Sequence, residues 1–249
     1  MRFTSKTALV TGSSRNLGRD VVLALAREGA NVIAHGFQDV AGARETATLA
    51  AAVGAKATTV IGDVGDAQEI AAMVEQATRA VGPIDILITC VGFRPHDDPL
   101  AITPEHWRRV MATNLDGAFF SAQAVLPGMI ERGFGRIVLV AGDGLFGGPT
   151  GQPHVMASKS GLLGLTKALA KEYATHNILV NCVSPGTLHT GDSSYREPGR
   201  DYEQLGKRSP TGKVTELRDV TQMCLYLCAP EQTGITGQTI SVNSGTQMH

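Results

Sequence analysis

The stretch Thr7–Arg19, TALVTGSSRNLGR, decides the fold of this chain of 249 residues. Its first five residues predict a strand, Thr7–Thr11, which runs directly into a glycine-containing turn and a helix. Gly12 permits a tight turn, and Gly18 lets the helix pack closely on the strand. The backbone N–H groups at the start of the helix can then face a pyrophosphate, which the helix dipole favours. The stretch therefore predicts the first strand–helix unit of a nucleotide-binding sheet.

The rest of the chain repeats this alternation of strand and helix. Further strands are predicted at Asn31–His35, Thr58–Ile61, Ile84–Thr89, Arg136–Val140, Leu179–Val183 and Thr239–Val242. Helices are predicted at Leu17–Glu28, Ala41–Val53, Ala67–Val81, Trp107–Arg132 with a kink or break at Pro127, Val155–Tyr173 and Leu217–Cys228. This order predicts an α/β protein with a doubly wound Rossmann fold, in which helices cover both faces of a parallel seven-stranded sheet. We expect one domain over residues 1–249, with a substrate-loop insertion at about residues 187–213.

Composition excludes several classes of partner. The 22 basic and 23 acidic residues give a net charge of -1, so nothing favours nucleic acid or an anionic membrane. No apolar run approaches the roughly 20 residues of a spanning helix, and we expect a cytoplasmic protein. Cys224 and Cys228 lie one helical turn apart, but no second ligand pair has a metal-like spacing. The sequence therefore predicts buried thiols and no metal site.

The glycine turn resembles the TGxxxGxG turn of the short-chain dehydrogenase/reductase family, classical type, and the resemblance extends over nearly the whole chain. Asn16 replaces the middle glycine, and asparagine tolerates the left-handed conformation better than most residues. The resemblance implies a nicotinamide dinucleotide cofactor and a small-molecule substrate. The cofactor-binding residues that it implies are Gly12, Ser14, Arg15, Asn16, Leu17, Gly18, His35, Gly36, Phe37, Asp63, Val64, Cys90, Val91, Gly92, Lys159, Pro185, Gly186, Thr187, Leu188 and Thr190.

Two of these segments resemble known parts of the family's cofactor site, and a third segment departs from the family pattern. Asp63-Val64 is similar to the pair that contacts adenine, and Pro185–Thr190 is similar to the segment that contacts the nicotinamide carboxamide. Thr89–Gly92 stands where the family usually has Asn-Asn-Ala-Gly, and only its glycine is retained. The side-chain amides of that segment are therefore missing.

The choice between the two nicotinamide cofactors depends on the end of the second strand. An acidic residue there would bind the adenine ribose and repel a 2′-phosphate. His35-Gly36-Phe37 contains no carboxylate, and Arg15 matches a basic residue that many family members place near a 2′-phosphate. The sequence therefore favours NADP(H) over NAD(H). The alternative is that Arg15 is a solvated surface residue and the pocket is indifferent.

The catalytic motif of the family is only half retained. The family uses a tyrosine as acid, a lysine four residues later, a serine that binds the carbonyl oxygen and an asparagine in a proton relay. Asn114 and Lys159 match the asparagine and the lysine. The tyrosine position is Val155 and the serine position is Gly142, so both hydroxyl groups are absent.

Several residues are candidates for the missing proton donor. His154 is adjacent to the tyrosine position, and imidazole is a suitable acid near neutral pH. The alternatives are a water molecule held by Asn114 and Lys159, or the carboxyl group of Asp143. His154 is also explained as a polar residue at the rim of the pocket, and the loop residues Arg94, His96, Asp97 and Asp98 either bind a polar substrate or are solvated.

Three functional hypotheses follow. The first is an NADP(H)-dependent oxidoreductase that interconverts a carbonyl and an alcohol with a non-standard proton donor. The second is a lyase or isomerase on the same fold, and the third is a cofactor-binding or regulatory protein without catalysis. The resemblance also implies a homotetramer or homodimer that assembles through the predicted helices at 107–132 and 155–173.

Overall fold

The structure is a computed structural model that describes residues 1–189 and 201–248. Within these residues the strands are β1 Thr7–Thr11, β2 Asn31–Gly36, β3 Ala57–Ile61, β4 Ile86–Thr89, β5 Gly135–Val140, β6 Ile178–Pro185, β7 Leu188–His189, β8 Thr215–Glu216 and β9 Thr239–Val242. The α-helices are α1 Asn16–Arg27, α2 Val40–Ala52, α3 Ala67–Val81, α4 Pro104–Met111, α5 Gly117–Arg132, α6 Gly144–Gly147, α7 Pro153–Tyr173, α8 Tyr202–Arg208 and α9 Leu217–Cys228.

In the described part of the chain, seven strands form one parallel sheet in the order β3-β2-β1-β4-β5-β6-β9. The chain builds outward from β1 in one direction and then restarts at β4 on the other side. This reversal leaves a crevice at the carboxyl ends of β1 and β4, which is where ligands bind in such sheets. The predicted α/β fold, a doubly wound Rossmann sheet with helices on both faces, is confirmed.

The hydrophobic core consists of two apolar layers, one on each face of the sheet. Leu9 and Leu87 point toward α3, α5 and α7, whereas Val10 and Ile88 point toward α1, α2 and α9. Side chains alternate between the faces of a strand, so strands that are covered on both sides must be apolar throughout. This explains why β1 and β4 read as continuous apolar runs. No helix in the described ranges has both the length and the apolar character that crossing a bilayer requires.

The helical region around Asn114 differs from its prediction. Instead of one helix over Trp107–Arg132, α4 begins at Pro104 and a π-helical turn, Ala112–Asp116, separates it from α5. Of the kink or break predicted at Pro127, the break is wrong, because α5 continues through Pro127 to Arg132. π-Helical turns are frequent at functional sites and have no simple sequence signal.

The predicted insertion at 187–213 contains regular structure where it is described. Leu188 pairs with Thr215 in a two-stranded parallel sheet formed by β7 and β8, and α8 precedes β8. Thr190, predicted to bind the cofactor, lies outside the described residues.

His35 connects three elements at the edge of the sheet where the glycine turn lies. Its Nδ1 accepts a hydrogen bond from Gly12 N–H at 2.9 Å, and its Nε2 donates to the Gly62 carbonyl at 3.0 Å. The ring is almost fully buried, and its backbone N–H donates to Ser13 Oγ at 2.8 Å. These bonds require the neutral ring with the proton on Nε2. Burial lowers the pKa of His35, partly opposed by the Gly62 carbonyl and Asp63.

We expect Gly18→Ala to destabilise the fold by about 1–3 kcal/mol, because a Cβ at Gly18 would lie 2.3 Å from the Gly12 carbonyl oxygen. Gly164→Ala is the matched control, because Gly164 lies in α7 with no atom within 4 Å of its Cβ position. Removing that helical glycine should stabilise by roughly 0.5–1 kcal/mol. Urea unfolding measures both values, and equal effects of the two substitutions would contradict this account of the turn.

Folding stability should fall in acid because of His35. Its folded pKa lies below the unfolded value of about 6.5, so below that pH the unfolded chain binds a proton that the folded chain does not. The stability is therefore fully present above about pH 6.5 and is lost as the pH falls toward the folded pKa. His35→Leu should be less stable at about pH 8, yet lose less stability than the native chain between about pH 8 and pH 5.

Urea unfolding at several pH values measures this difference. The exposed His176, changed to glutamine, is the control for loss of a histidine as such. Parallel pH profiles for the native chain and His35→Leu would refute the role given to His35.

Candidate functional site

The turn between β1 and α1 has the geometry of a phosphate cradle. Gly12 and Asn16 both have positive φ, at 65° and 48°, so Asn16 adopts the left-handed conformation expected of it. Arg15 is the N-cap residue of α1 but makes no side-chain cap hydrogen bond, so its side chain does not occupy the N–H groups of the first turn. Leu17 and Gly18 are buried beneath this turn, with Ser14 partly exposed at its edge. A helix start without a side-chain cap, open at a sheet crevice, suits the phosphates of a dinucleotide.

At the end of β2, two of the residues that the resemblance implies for the cofactor also make contacts within the fold. His35 is occupied by the turn itself, and a Cβ at Gly36 would lie 2.8 Å from that of Ala43, so both serve packing. Phe37 is partly exposed, with the Arg109 guanidinium 5.9 Å from its ring centre.

A carboxylate lies close to Arg15, although none was expected at the end of the second strand. Asp39 Oδ2 is 3.4 Å from Arg15 Nη1, and Asp39 Oδ1 accepts from Gly42 N–H at 2.9 Å as the cap of α2. Asp39 lies two residues beyond Phe37, outside the segment His35-Gly36-Phe37. Its role as a helix cap fixes the carboxylate beside the arginine.

Asp63, at the carboxyl end of β3, is a charged hydrogen-bond acceptor that two protein donors hold in place. Burial alone would raise its pKa, but hydrogen bonds from Arg109 at 2.6 Å and Gly65 N–H at 2.9 Å outweigh it and lower the pKa. Val64 is buried beside it and packs against Gly117 at the start of α5. A fixed carboxylate next to an apolar side chain is suited to the amine and the face of a purine.

Lys159 is buried beneath the segment that follows β4. Its Nζ donates to the Val140 carbonyl at 2.9 Å and the Val91 carbonyl at 3.3 Å, and would lie 3.8 Å from a Cβ at Gly92. Burial, and next the positive charge of Arg94, lower the pKa of Lys159 to about 8. The Lys159 ammonium therefore loses its proton at about pH 8, well below the usual range of a lysine.

Cys90 neighbours Lys159 but is not a reactive thiol. Burial raises its pKa to about 12, so the group stays protonated. Cys224 and Cys228 are free and buried, as predicted, and burial raises the pKa of both thiols. None of these cysteines offers a thiolate for catalysis at neutral pH.

Asn114 binds protein groups with its whole amide. Its Oδ1 accepts from Phe93 N–H at 2.7 Å, and its Nδ2 donates to the Phe93 carbonyl at 2.9 Å and to Ser158 Oγ at 3.0 Å. Ser158 Oγ in turn donates to the Val155 carbonyl at 2.8 Å. Ser158, one residue before Lys159, therefore belongs to the same network. Asn114 therefore joins the loop after β4 to α7.

The positions of the missing hydroxyl groups differ in their surroundings. Val155 is buried, whereas a Cβ at Gly142 would meet no atom within 4 Å, so space remains at the serine position. Asp143, a candidate donor, accepts from Thr246 Oγ1 at 2.8 Å, and its N–H donates to the Pro185 carbonyl at 2.8 Å. The segment after β6 is equally well held, since a Cβ at Gly186 would lie 2.8 Å from Asn243 Cα. Thr187 and Leu188 continue this segment into β7.

His154 lies in the first turn of α7, immediately before the vacant tyrosine position at Val155. Its side chain is fully buried, and its Nε2 is 3.1 Å from Asp97 Oδ2. His106, for which the sequence predicts no role, places its Nε2 3.8 Å from the same oxygen. One atom from each of the three side chains lies within 4.8 Å of the others, although no metal-ligand set was expected. Their separation in the sequence hides this grouping.

Comparison with known proteins agrees with the fold and the site. A family model described as enoyl-(acyl carrier protein) reductase matches residues 12–247. The chain is 34% identical over 248 residues to the 3-oxoacyl-[acyl-carrier-protein] reductase FabG of Thermotoga maritima, covering 98% of this chain and 99% of the relative. It is 33% identical over 249 residues to the (2S)-[(R)-hydroxy(phenyl)methyl]succinyl-CoA dehydrogenase subunit BbsD of Thauera aromatica, covering 100% of this chain and 99% of the relative.

A crystal structure from Sinorhizobium meliloti 1021, described as a short-chain alcohol dehydrogenase, superimposes with a TM-score of 0.91 at 33% identity. The alignment covers 97% of this chain and 96% of that one. All four matches extend over nearly the whole chain: the family model, the two relatives and this crystal structure. The seven-stranded parallel sheet and the glycine turn at its switch point, both described above, belong to the same pattern. The chain is therefore a member of the short-chain dehydrogenase/reductase family, whose oxidoreductases use NAD(P).

Proposed function

We propose that this protein is an NADP(H)-dependent oxidoreductase that interconverts a carbonyl and an alcohol in a small molecule, with Lys159 as the proton donor. The observation that carries the proposal is the buried ammonium of Lys159, which contacts the backbone after β4 at Val91 and the end of β5 at Val140. The cofactor, when bound, supplies the hydride. The start of α1 would hold its pyrophosphate, and Asp63 its adenine.

The protein must supply a proton to the carbonyl oxygen as the hydride arrives. Lys159 uses two of its three N–H groups on carbonyls of the described residues, which leaves one for a substrate oxygen or for one intervening water. The open space at Gly142 admits such a water. Asn114 acts as a positioning residue, because its amide is used on Phe93 and Ser158. His154 remains a predicted alternative donor, but Asp97 holds its Nε2.

Preference for NADP(H) rests on Arg15 at the phosphate cradle. Its guanidinium is partly exposed, and a planar guanidinium at this end of the cradle would suit a 2′-phosphate on the adenine ribose. Asp39 opposes this preference, because its carboxylate lies beside the arginine and would repel the phosphate. The preference should therefore be moderate, and each of the two side chains should shift it in the opposite direction.

Arg15→Ala should weaken NADPH binding by about 10–100-fold and leave NADH binding nearly unchanged, because a charge-assisted contact contributes about 1.5–3 kcal/mol. Asp39→Asn keeps a capping side chain and should tighten NADPH binding. Nucleotide fluorescence titration measures all four affinities. Arg27→Ala, at the exposed far end of α1, is the matched control. Equal losses for NADH and NADPH in Arg15→Ala would contradict the assignment.

Reduction should depend on the protonated form of Lys159. We expect kcat/KM for carbonyl reduction to be constant in acid and to fall as the pH rises through about 8, because the acid form is then lost. The reverse oxidation should rise through the same range. Lys159→Arg keeps the charge without a proton that dissociates, and should lower reduction by about 100-fold or more. NADPH oxidation gives the readout, with Lys167→Arg as a control in the same helix.

The choice of substrates follows the chemistry of the site and the relatives. FabG is named for a 3-oxoacyl thioester and BbsD for a CoA thioester, so the panel should include 3-oxoacyl thioesters beside ketones, quinones and keto acids. NADPH binding without turnover on the whole panel would favour a regulatory protein. Activity that appears only in Val155→Tyr with Gly142→Ser would favour that reading or a lyase or isomerase. The cytoplasmic location and the homotetramer or homodimer remain predictions, and light scattering tests the assembly.

A further inference from the structure

The cluster formed by Asp97, His106 and His154 lies outside the proposed cofactor contacts. Each residue comes from a different element: the loop after β4, α4 and the first turn of α7. His154 is fully buried, whereas the Asp97 and His106 side chains are 29% and 32% exposed. The cluster therefore has a buried floor and an opening to solvent.

The backbone around the cluster holds each side chain in place. Asp97 N–H donates to the Gly151 carbonyl at 2.9 Å, which attaches the loop to the start of α7. His106 lies in the capped first turn of α4, and its ring stacks on Phe93 with a centre-to-centre distance of 6.0 Å. The rings of His106 and His154 meet edge to face at 5.4 Å.

Hydrogen bonding within the cluster does not account for its arrangement. Asp97 Oδ2 can accept from His154 at 3.1 Å, but His106 Nε2, at 3.8 Å, is too far away to donate to it. In the described structure the buried Nδ1 of His154 has no hydrogen-bond partner. His154 therefore makes its one polar contact through Nε2, on the side of Asp97. One ligand atom from each of the three side chains nevertheless lies within 4.8 Å of the other two.

The distances do suit a shared metal ion. A tetrahedral zinc ion with nitrogen and oxygen ligands at about 2.0–2.1 Å holds its ligand atoms roughly 3.3–3.4 Å apart. The separations of 3.1 and 3.8 Å from Asp97 Oδ2 to the two imidazole nitrogens bracket that value. Two imidazoles and one carboxylate favour Zn²⁺ and the neighbouring divalent transition metals over Mg²⁺ and Ca²⁺, which prefer oxygen.

We propose that Asp97, His106 and His154 form a binding site for a divalent transition-metal ion, with Zn²⁺ as its representative. Three protein ligands leave one coordination position for water or another ligand, on the side where Asp97 and His106 are exposed. A bound ion joins the loop after β4 to α4 and α7, immediately before the vacant tyrosine position. The site does not depend on the proposed cofactor chemistry.

The test uses untagged protein that has been stripped of metal with a chelator and then dialysed to remove the chelator. Zn²⁺ is titrated into this protein, and calorimetry measures the binding. We expect one ion per chain and a rise in the unfolding temperature with Zn²⁺ concentration. Co²⁺ should give the visible absorption of a four-coordinate site. His106→Gln and Asp97→Asn should each bind at least about tenfold more weakly, since even outer-sphere changes cost that much.

His96→Gln is the matched control, because His96 is an exposed histidine in the same loop and is not part of the cluster. It should bind Zn²⁺ like the native chain. Absence of one-to-one binding, or equal affinity in His106→Gln and the native chain, would overturn the site and leave only adventitious surface binding. NADPH titration of His106→Gln separates this result from the proposed function, because its cofactor affinity should be unchanged.

Discussion

The close approach of α1 to β1 is the constraint on which the rest of this structure depends. It exists because Gly18 has no side chain, which allows the helix to lie against the Gly12 carbonyl. That approach directs the start of α1 toward the crevice between β1 and β4, where the sheet changes direction. His35 then holds Gly12 from the side of β2, so the turn is fixed by a buried ring as well as by glycine. The phosphate cradle is thus a consequence of packing.

In the segment after β4, contacts to the backbone take the place of contacts made by its own side chains. The segment after β4 lacks the amides that its relatives usually have, and Lys159 binds its backbone directly at Val91. Asn114 holds the next part of the same loop at Phe93 with both ends of its amide. The loop is therefore well ordered by its neighbours even though its own side chains contribute little. Val155 and Gly142 carry no hydroxyl group, yet the strands and helices around them keep the arrangement of the fold.

Sequence reasoning succeeded where a pattern repeats locally. The strands β1 and β9 and the helices α3 and α9 have the predicted bounds without a shift. Short β-branched runs and an apolar stripe on a helix leave a direct mark in the sequence. Sequence reasoning failed where distant residues meet. Nothing near His35 indicates Gly62, and Asp97 gives no sign of His106 or His154. The contact between Asp39 and Arg15 was not predicted, because it depends on the capping of α2, which turns the Asp39 carboxylate back toward Arg15.

The π-helical turn at Ala112–Asp116 changes the angular positions of side chains around the helix axis, compared with a regular α-helix. A π-helical turn accommodates one residue more than an α-helical turn, so the residues of α5 are shifted by about 100° from the positions that an unbroken α-helix would give them. Asn114 lies inside this turn, and from there its amide binds Phe93 in the loop after β4 and Ser158 in α7. The irregular turn thus serves the crevice, whereas the regular helix that follows it, α5, covers the sheet.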